Sequence, residues 1–255
     1  MTVPDDDLVT DRDELLAEID RLQASLRSRD DYLAALAHEL RSPLGVLILQ
    51  LDVHERAVER AGLASLDASL EPELVRRQLF RLERLVQQMH DVSRIGRGEL
   101  ELELEDVELR AVVEAVLDRH AAEATTRGVT ISRGDLERAS GRWDPRRLAQ
   151  VVTSLVSNAL RHARAANVRV ATSKTSNGAR LVVSDDGCGI APQDHARIFE
   201  QFGRTRASTQ RGGLALGLWL SREIVRAHGG DIHLSSALGQ GSTFEVSLPP
   251  SAPMR

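Results

Sequence analysis

Between Leu15 and Leu40 the apolar residues return at heptad spacing: Leu15, Ile19, Leu22, Leu26, Leu33, Leu36 and Leu40, with Arg29 interrupting the seam at one d position. A stripe of that period is satisfied by one long helix laid against a partner helix. Pro43 falls on the next d position. It removes the backbone donor that would bond the Glu39 carbonyl, so a bend is expected just past Glu39. Gly, Ser, Asp and Pro gather between Gly62 and Pro72, and a second helical stretch follows through Val75, Leu79, Leu82, Leu85, Val86, Met89, Val92 and Ile95. Two such helices make an α-hairpin with one wet apolar face, and dimerising into a four-helix bundle would cover it. Periodicity reports packing and not chemistry, so a purely architectural coiled coil also satisfies this pattern.

Gly96 to Gly98 marks a boundary, after which the patterning changes. Short β-like runs are expected at Glu101–Leu104, Val129–Ser132, Val168–Thr172, Arg180–Ser184, Asp231–Ser235 and Thr243–Leu248. Helical stretches are expected near Leu109–Thr126, Pro145–His162 and Leu214–His228. Ser176-Asn177-Gly178 between two of the runs reads as a hairpin turn. Helices grouped with a largely hairpin-connected sheet point to an α+β sandwich.

Composition narrows the function classes. The 255 residues suit one large domain or two small ones, and 42% apolar residues are enough to build a core. The net charge of −5 and the absence of a basic stripe give no electrostatic support to nucleic-acid binding. Lys174 is the one lysine, so a phosphate contact must almost always use Arg. Cys188 is the one cysteine, which rules out an intramolecular disulfide and fits a reducing cytoplasm. The first residues are acidic without an apolar core, and no run of ~18 apolar residues occurs, so no membrane span is expected.

Several clusters carry chemistry. With Leu33 and Leu40 as a positions, His38 falls at f, away from the seam, beside Glu39. A carboxylate there is able to accept the Nδ1 proton and leave Nε2 as a nucleophile; a solvated surface histidine is the plainer reading. Asn158, late in a helical stretch, has an amide oxygen suited to Mg²⁺, with Arg161 placed for phosphate one turn on. Alone it reads equally as a surface or capping residue. Asp185-Asp186-Gly187-Cys188-Gly189 follows a β-like run. A buried carboxylate at Asp185 would accept an adenine amine, with glycines permitting close backbone approach; a calcium-type or plain turn has the same pattern. The segment 203–213 is polar and basic and reads plainly as a solvated loop, although Arg204, Arg206 and Arg211 are phosphate candidates if it is a lid, and Gly213-Leu214-Ala215-Leu216-Gly217 precedes an apolar helix whose N-terminus suits phosphate.

Together these strings resemble sensor histidine kinases of two-component systems. His38-Glu39-Leu40-Arg41-Ser42-Pro43 is similar to the H-box, and Asn158 to His162, led by Asp144-Pro145, Arg147 and Gln150, to the N-box. Asp185 to Gly189 looks like the G1 box, Ile198 to Arg204 the F-box, Gly213 to Gly217 the G2 box and Gly239 to Gly241 a G3-like turn. The order and spacing of the family hold from about Leu33 to Leu248. Three positions depart from it: Ser42, Ser154 and Ala215 stand where relatives more often carry Thr or Asn, Asn, and Gly.

The resemblance implies a dimeric helical-hairpin four-helix bundle followed by an α/β-sandwich ATP-binding domain. It divides the chain into a coiled-coil lead (residues 1–32), a phosphoacceptor hairpin (33–98) and a catalytic domain (99–255). It implies His38 as phosphoacceptor, Glu39 as its base, and Ser42 as the side chain positioning water for dephosphorylation of a partner. Asn158, Arg161, His162, Asp185, Gly187, Gly189, Arg204, Gly213, Leu216 and Gly217 would hold ATP, with Asn158 on Mg²⁺. The implied partners are a second copy of the chain, an aspartate-bearing response-regulator receiver domain, and an upstream sensor. The rival is a phosphotransfer or scaffold protein with a degenerate ATP site, favoured by Ser154 and Ala215.

Overall fold

The computed structural model describes residues 15, 16, 18, 19, 23, 33, 34, 36, 37, 39–56, 71–162, 167–201 and 216–253. They fall into two compact units that divide between Leu85 and Val86.

In the first unit the described positions from 33 to 37 are helical, and helix α1 runs unbroken over residues 39–56. Pro43 sits inside α1 and is buried, so losing one backbone donor does not end the helix. The heptad residues Leu22, Leu26 and Arg29 lie outside the described residues, as does most of the break expected between Gly62 and Pro72. Helix α2 spans Pro72–Gly96. Proline at its first position has no N–H to leave unsatisfied, and the Glu71 carbonyl accepts from Leu74 and Val75. Its last eleven residues belong to the second unit.

The second unit is a two-layer sandwich. A small antiparallel pair joins β1 (Glu105–Glu108) to β3 (Ser140–Trp143). The main sheet has the order β2-β4-β5-β7-β6, built from β2 (Thr130–Leu136), β4 (Asn167–Thr175), β5 (Gly178–Asp185), β6 (Asp231–Ser236) and β7 (Ser242–Leu248). The β2–β4 pair is parallel and the rest are antiparallel. Helices α3 (Leu109–Arg127), α4 (Pro145–His162) and α5 (Gly217–Ala227) pack side by side over one face. Alternation explains the layering: Val168, Val170, Leu181, Val183, Phe244 and Val246 are buried, while the intervening Arg180 pairs with Glu245 at 3.1 Å on the outer face. The expected hairpin is present, with Thr175 opposite Gly178. Gly178 has φ +129°, and a Cβ there would lie 2.0 Å from the Leu248 carbonyl oxygen, so no other residue fits.

Two strand expectations need correction. Glu101–Leu104 is not a strand; the ladder begins at Glu105, and the partner strand Ser140–Trp143 was not anticipated. The Glu-Leu alternation stops at Leu104 and Asp106 breaks its phase, so local pattern does not point to Glu105–Glu108 as the paired segment. At Glu103 the backbone N–H goes instead to the Asp144 carboxylate, at 3.0 Å. The helix expected from Leu214 is described from Gly217, because 202–215 lie outside the described residues.

His228, at the end of α5, is fully buried. Its Nε2 accepts the Asp144 N–H at 3.0 Å, so Nδ1 carries the proton and donates to the Ile224 carbonyl at 2.8 Å. Burial lowers its pKa below the ordinary 6.5, with Arg147 adding in the same direction against Ile224 and Asp144. The unfolded chain therefore binds a proton that the fold refuses, and this histidine's stabilisation, full above pH 6.5, is lost as the pH falls below that value. His228→Leu is expected to cost about 1–3 kcal/mol near neutral pH by orphaning the Asp144 N–H. Urea unfolding above and below pH 6.5 should show the variant losing less stability on acidification than the parent.

Candidate functional site

The two units each carry some of the residues singled out from sequence. In the first, His38 lies outside the described residues. Its neighbour Glu39 is described, and Oε2 accepts from Arg81 Nη2 at 2.7 Å, with the Glu39 side chain only 15% exposed. Arg81 stands on α2, 42 residues away in the chain, and no sequence pattern singled it out. Ser42 is exposed on α1.

In the second unit α4 is the spine. Asp144 caps it: Oδ1 accepts the N–H groups of Arg146 and Arg147, each at 3.0 Å. Ser154, Asn158 and Arg161 recur at i, i+4 and i+7, so they share one side of the helix, while Leu155, Val156 and Ala159 point into the core. Gly217, the first residue of α5, meets this stripe. A Cβ on it would lie 2.7 Å from Ser154 Oγ. The missing side chain at Gly217 thus lets α5 start against α4, and Ser154 and Gly217 fit as a pair. Leu216 precedes the helix with its side chain 1% exposed, so it contributes backbone and packing rather than a side-chain contact. The side chains of Asn158 and Arg161 make no hydrogen bond to a described residue, and His162 is half-buried at the helix end.

The far end of α4 meets the turn after β5. Asp185 is 9% exposed, and Oδ1 accepts the Gly187 N–H at 2.9 Å. Burial is the main cause that raises its pKa above 3.8, and the Asp186 charge adds to it; the N–H groups of Gly187 and Ser242 oppose both. A half-desolvated carboxylate of this kind gains from any further donor that reaches it.

The glycines of the turn also meet a requirement of internal packing. A Cβ on Gly187 would stand 2.4 Å from the His162 carbonyl oxygen and 2.5 Å from Asp185 Oδ1. Gly189, at φ +67°, would strike the Ala237 carbonyl oxygen at 1.9 Å, and Gly241, at φ +80°, the Asp185 carbonyl oxygen at the same distance. These positions are glycine because three backbone segments close around Asp185. Ser236 Oγ ties them further, donating to the Gly241 carbonyl and accepting the Ile190 N–H, each at 2.8 Å. Cys188 is half-buried, and its carbonyl accepts from Gly239.

Beyond the turn, Phe199 packs edge-on against Phe244, ring centroids 6.3 Å apart, with the Arg222 guanidinium 5.4 Å above its own ring. Arg204, Arg206, Arg211, Gly213 and Ala215 lie outside the described residues. Among the described residues no group of three His, Cys, Asp or Glu side chains is placed to hold a metal, and no helix is long and apolar enough to cross a membrane.

The comparisons with known proteins agree with this arrangement. Residues 28–98 match the His Kinase A (phospho-acceptor) domain, and residues 143–252 the histidine kinase-, DNA gyrase B-, and HSP90-like ATPase. The chain is 33% identical over 246 residues to the sensor protein DivL of Caulobacter vibrioides, covering 94% of this chain and 30% of the relative. It is 34% identical to the signal transduction histidine-protein kinase AfsQ2 of Streptomyces coelicolor, covering 91% and 44%. It thus spans less than half the length of these two relatives. The histidine kinase AdeS of Acinetobacter baumannii superposes with a TM-score of 0.59 at 25% identity, over 84% of this chain and 98% of that one. A phospho-acceptor helix pair followed by a three-helix, five-stranded ATPase sandwich, in this order and with these relatives, places the chain in the sensor histidine kinase family.

Proposed function

We propose that the chain is an ATP-dependent protein-histidine kinase that phosphorylates its own His38 and passes the phosphoryl group to an aspartate of a response-regulator receiver domain. The observation that carries this is the arrangement along α4. One end of the helix abuts the Asp185 turn, and Ser154, about 12 Å back along the axis, abuts the N-terminus of α5. Between them stand Asn158 and Arg161. The stripe therefore joins a base-recognising carboxylate to a phosphate-binding helix terminus.

In this reading Asp185 accepts the adenine amine; burial is the main cause that holds its pKa above the ordinary value, and a further donor would stabilise its charged form. Gly187 and Gly189 hold the turn in shape. Phosphates lie at the α5 N-terminus, with Leu216 and Gly217 contributing backbone, and Arg161, His162, Arg204 and Gly213 complete the nucleotide site. The Asn158 amide oxygen suits a hard cation; Mg²⁺ there would neutralise charge on the phosphates. At the acceptor, Glu39 takes the Nδ1 proton while the Nε2 lone pair of His38 bonds to the γ-phosphorus and the bond to the β,γ-bridging oxygen breaks, releasing ADP. Arg81 holds Glu39 in place. Ser42, exposed on the same helix, serves the reverse use of the surface by orienting water for dephosphorylation of the regulator.

Pairing of two copies through the hairpin follows from Leu44, Ile48 and Leu51, which are 46–57% exposed at helical spacing on α1. The proposed divisions are a lead over 1–32, the hairpin over 33–98 and the catalytic domain over 99–255, working in the cytoplasm where ATP is supplied and taking its input from an upstream sensor.

Incubation with γ-labelled ATP and Mg²⁺ tests the proposal. Acid-labile label is expected on the parent and none on His38→Ala. A parent that stays unlabelled while binding nucleotide would favour a phosphotransfer-only protein. Asp185→Asn keeps an acceptor for Gly187 but replaces a charged acceptor with a neutral one, so nucleotide affinity measured by titration should fall by about tenfold or more. Arg81→Met is expected to lower the labelling rate severalfold at saturating ATP with nucleotide affinity unchanged, since Arg81 and the nucleotide site stand in separate units.

A further inference from the structure

Arg147 and Gln150 belong to the string that precedes the N-box, yet neither enters the nucleotide chemistry above. Both side chains are engaged elsewhere. Asp91, near the end of α2, is a carboxylate with no solvent exposure at all. Its Oδ1 accepts from Arg147 Nη1 at 2.7 Å and from Gln87 Nε2 at 3.1 Å; its Oδ2 accepts from Gln150 Nε2 at 2.8 Å. Arg147 is itself only 14% exposed, and the same Nη1 reaches Gln150 Oε1 at 3.0 Å. The amide of Gln150 is thereby fixed in orientation, its oxygen toward Arg147 and its nitrogen toward Asp91. A buried ion pair closed on this many sides is weak evidence for stability but sets one geometry firmly, because displacing either partner leaves a charge buried without compensation.

The position of this cluster matters. The chain divides into its compact units at Leu85–Val86, inside α2, and not at Gly96 where the helix ends. Residues 86–96 are therefore helix by local structure and part of the ATP-binding unit by contact. Arg147 stands in the first turn of α4, whose axis continues for about 16 Å to Asn158. We propose that Asp91, Arg147 and Gln150 form a clasp that makes the last three turns of α2 a mechanical part of the ATP-binding unit, so that a movement of α2 is delivered directly to the helix bearing Asn158. Asp91 and Arg147 are positioning residues in this scheme. The functional half of the inference rests on the kinase reading above; the mechanical half does not.

Hydrogen exchange on the full chain tests the mechanical half. In Asp91→Asn, and separately in Arg147→Met, amides of residues 86–96 are expected to exchange about tenfold faster than in the parent, while those of 72–84 and of β4 and β5 stay within about twofold. No acceleration, or acceleration spread evenly over 72–96, overturns the clasp. The paired variant Asp91→Leu with Arg147→Met replaces charge by apolar packing and is expected to restore protection. If the single variants loosen the whole ATP-binding unit and the pair does not recover it, the cluster is a general fold contact and the inference fails. For the functional half, the single variants should lower the autophosphorylation kcat about tenfold with nucleotide affinity within about twofold. Loss of affinity in step with rate would refute the coupling. A parent chain that takes no label at His38 would instead sink the kinase reading, leaving the exchange result to decide the clasp.

Discussion

The carboxylate and amide of Asp144 hold together the part of the molecule on which everything else is hung. Oδ1 caps the first turn of α4, Oδ2 takes the backbone N–H of Glu103, and the residue's own N–H ends on the neutral imidazole of His228. One buried residue thereby fixes the start of α4 against the segment leading into β1 and against the end of α5. Since Ser154, Asn158, Arg161 and His162 are all carried by α4, the direction that Asp144 gives this helix is the direction in which the proposed nucleotide stripe is presented. His228 must be neutral to accept that N–H, so the placement of the stripe is tied to the protonation state of a residue that never faces it.

Glycine has a different meaning in this site from the one its motif suggests. Strings such as Asp185 to Gly189 invite the idea of a bare backbone offered to a ligand. Here the space below Gly187, Gly189 and Gly241 is taken by carbonyl oxygens of the protein itself, from His162, Ala237 and Asp185. The absent side chains are required for three chain segments to meet, and the carboxylate is held at the junction as a result. Gly217 follows the same rule against Ser154. The close packing is internal, whatever the turn also offers to the proposed nucleotide.

Much of this was legible beforehand, and for identifiable reasons. Helical and strand periodicities report which face is buried, so α3, α4, β4, β5, β7 and the hairpin at Ser176-Asn177 emerged from local pattern. Asp185, Asn158 and the glycines emerged through the resemblance of their strings to family motifs, each alone reading equally as an ordinary turn or surface residue. The alternating run from Glu101 to Leu104 indicated an extended chain but not that the four residues after it would find β3, since pairing is decided by a distant partner. Arg81 and Asp91 were invisible for the same reason. Each is an ordinary charged residue on a helix, and each acquires its meaning from a partner 42 or 56 residues away.

Trp143 carries a last consequence. It is fully buried, and its indole N–H is donated at 2.7 Å to the Pro249 carbonyl, 106 residues further along. Beside it, Arg142 exchanges backbone bonds with Pro250 and Ala252. The seal over the largest side chain of the core is thus made by the segment translated after every strand of the sheet. During synthesis the ATP-binding sandwich remains open at Trp143 until that segment has left the ribosome, whereas Glu39 and Arg81, only 42 residues apart, are both available much sooner. The order in which the two halves mature is written into where one tryptophan finds its acceptor.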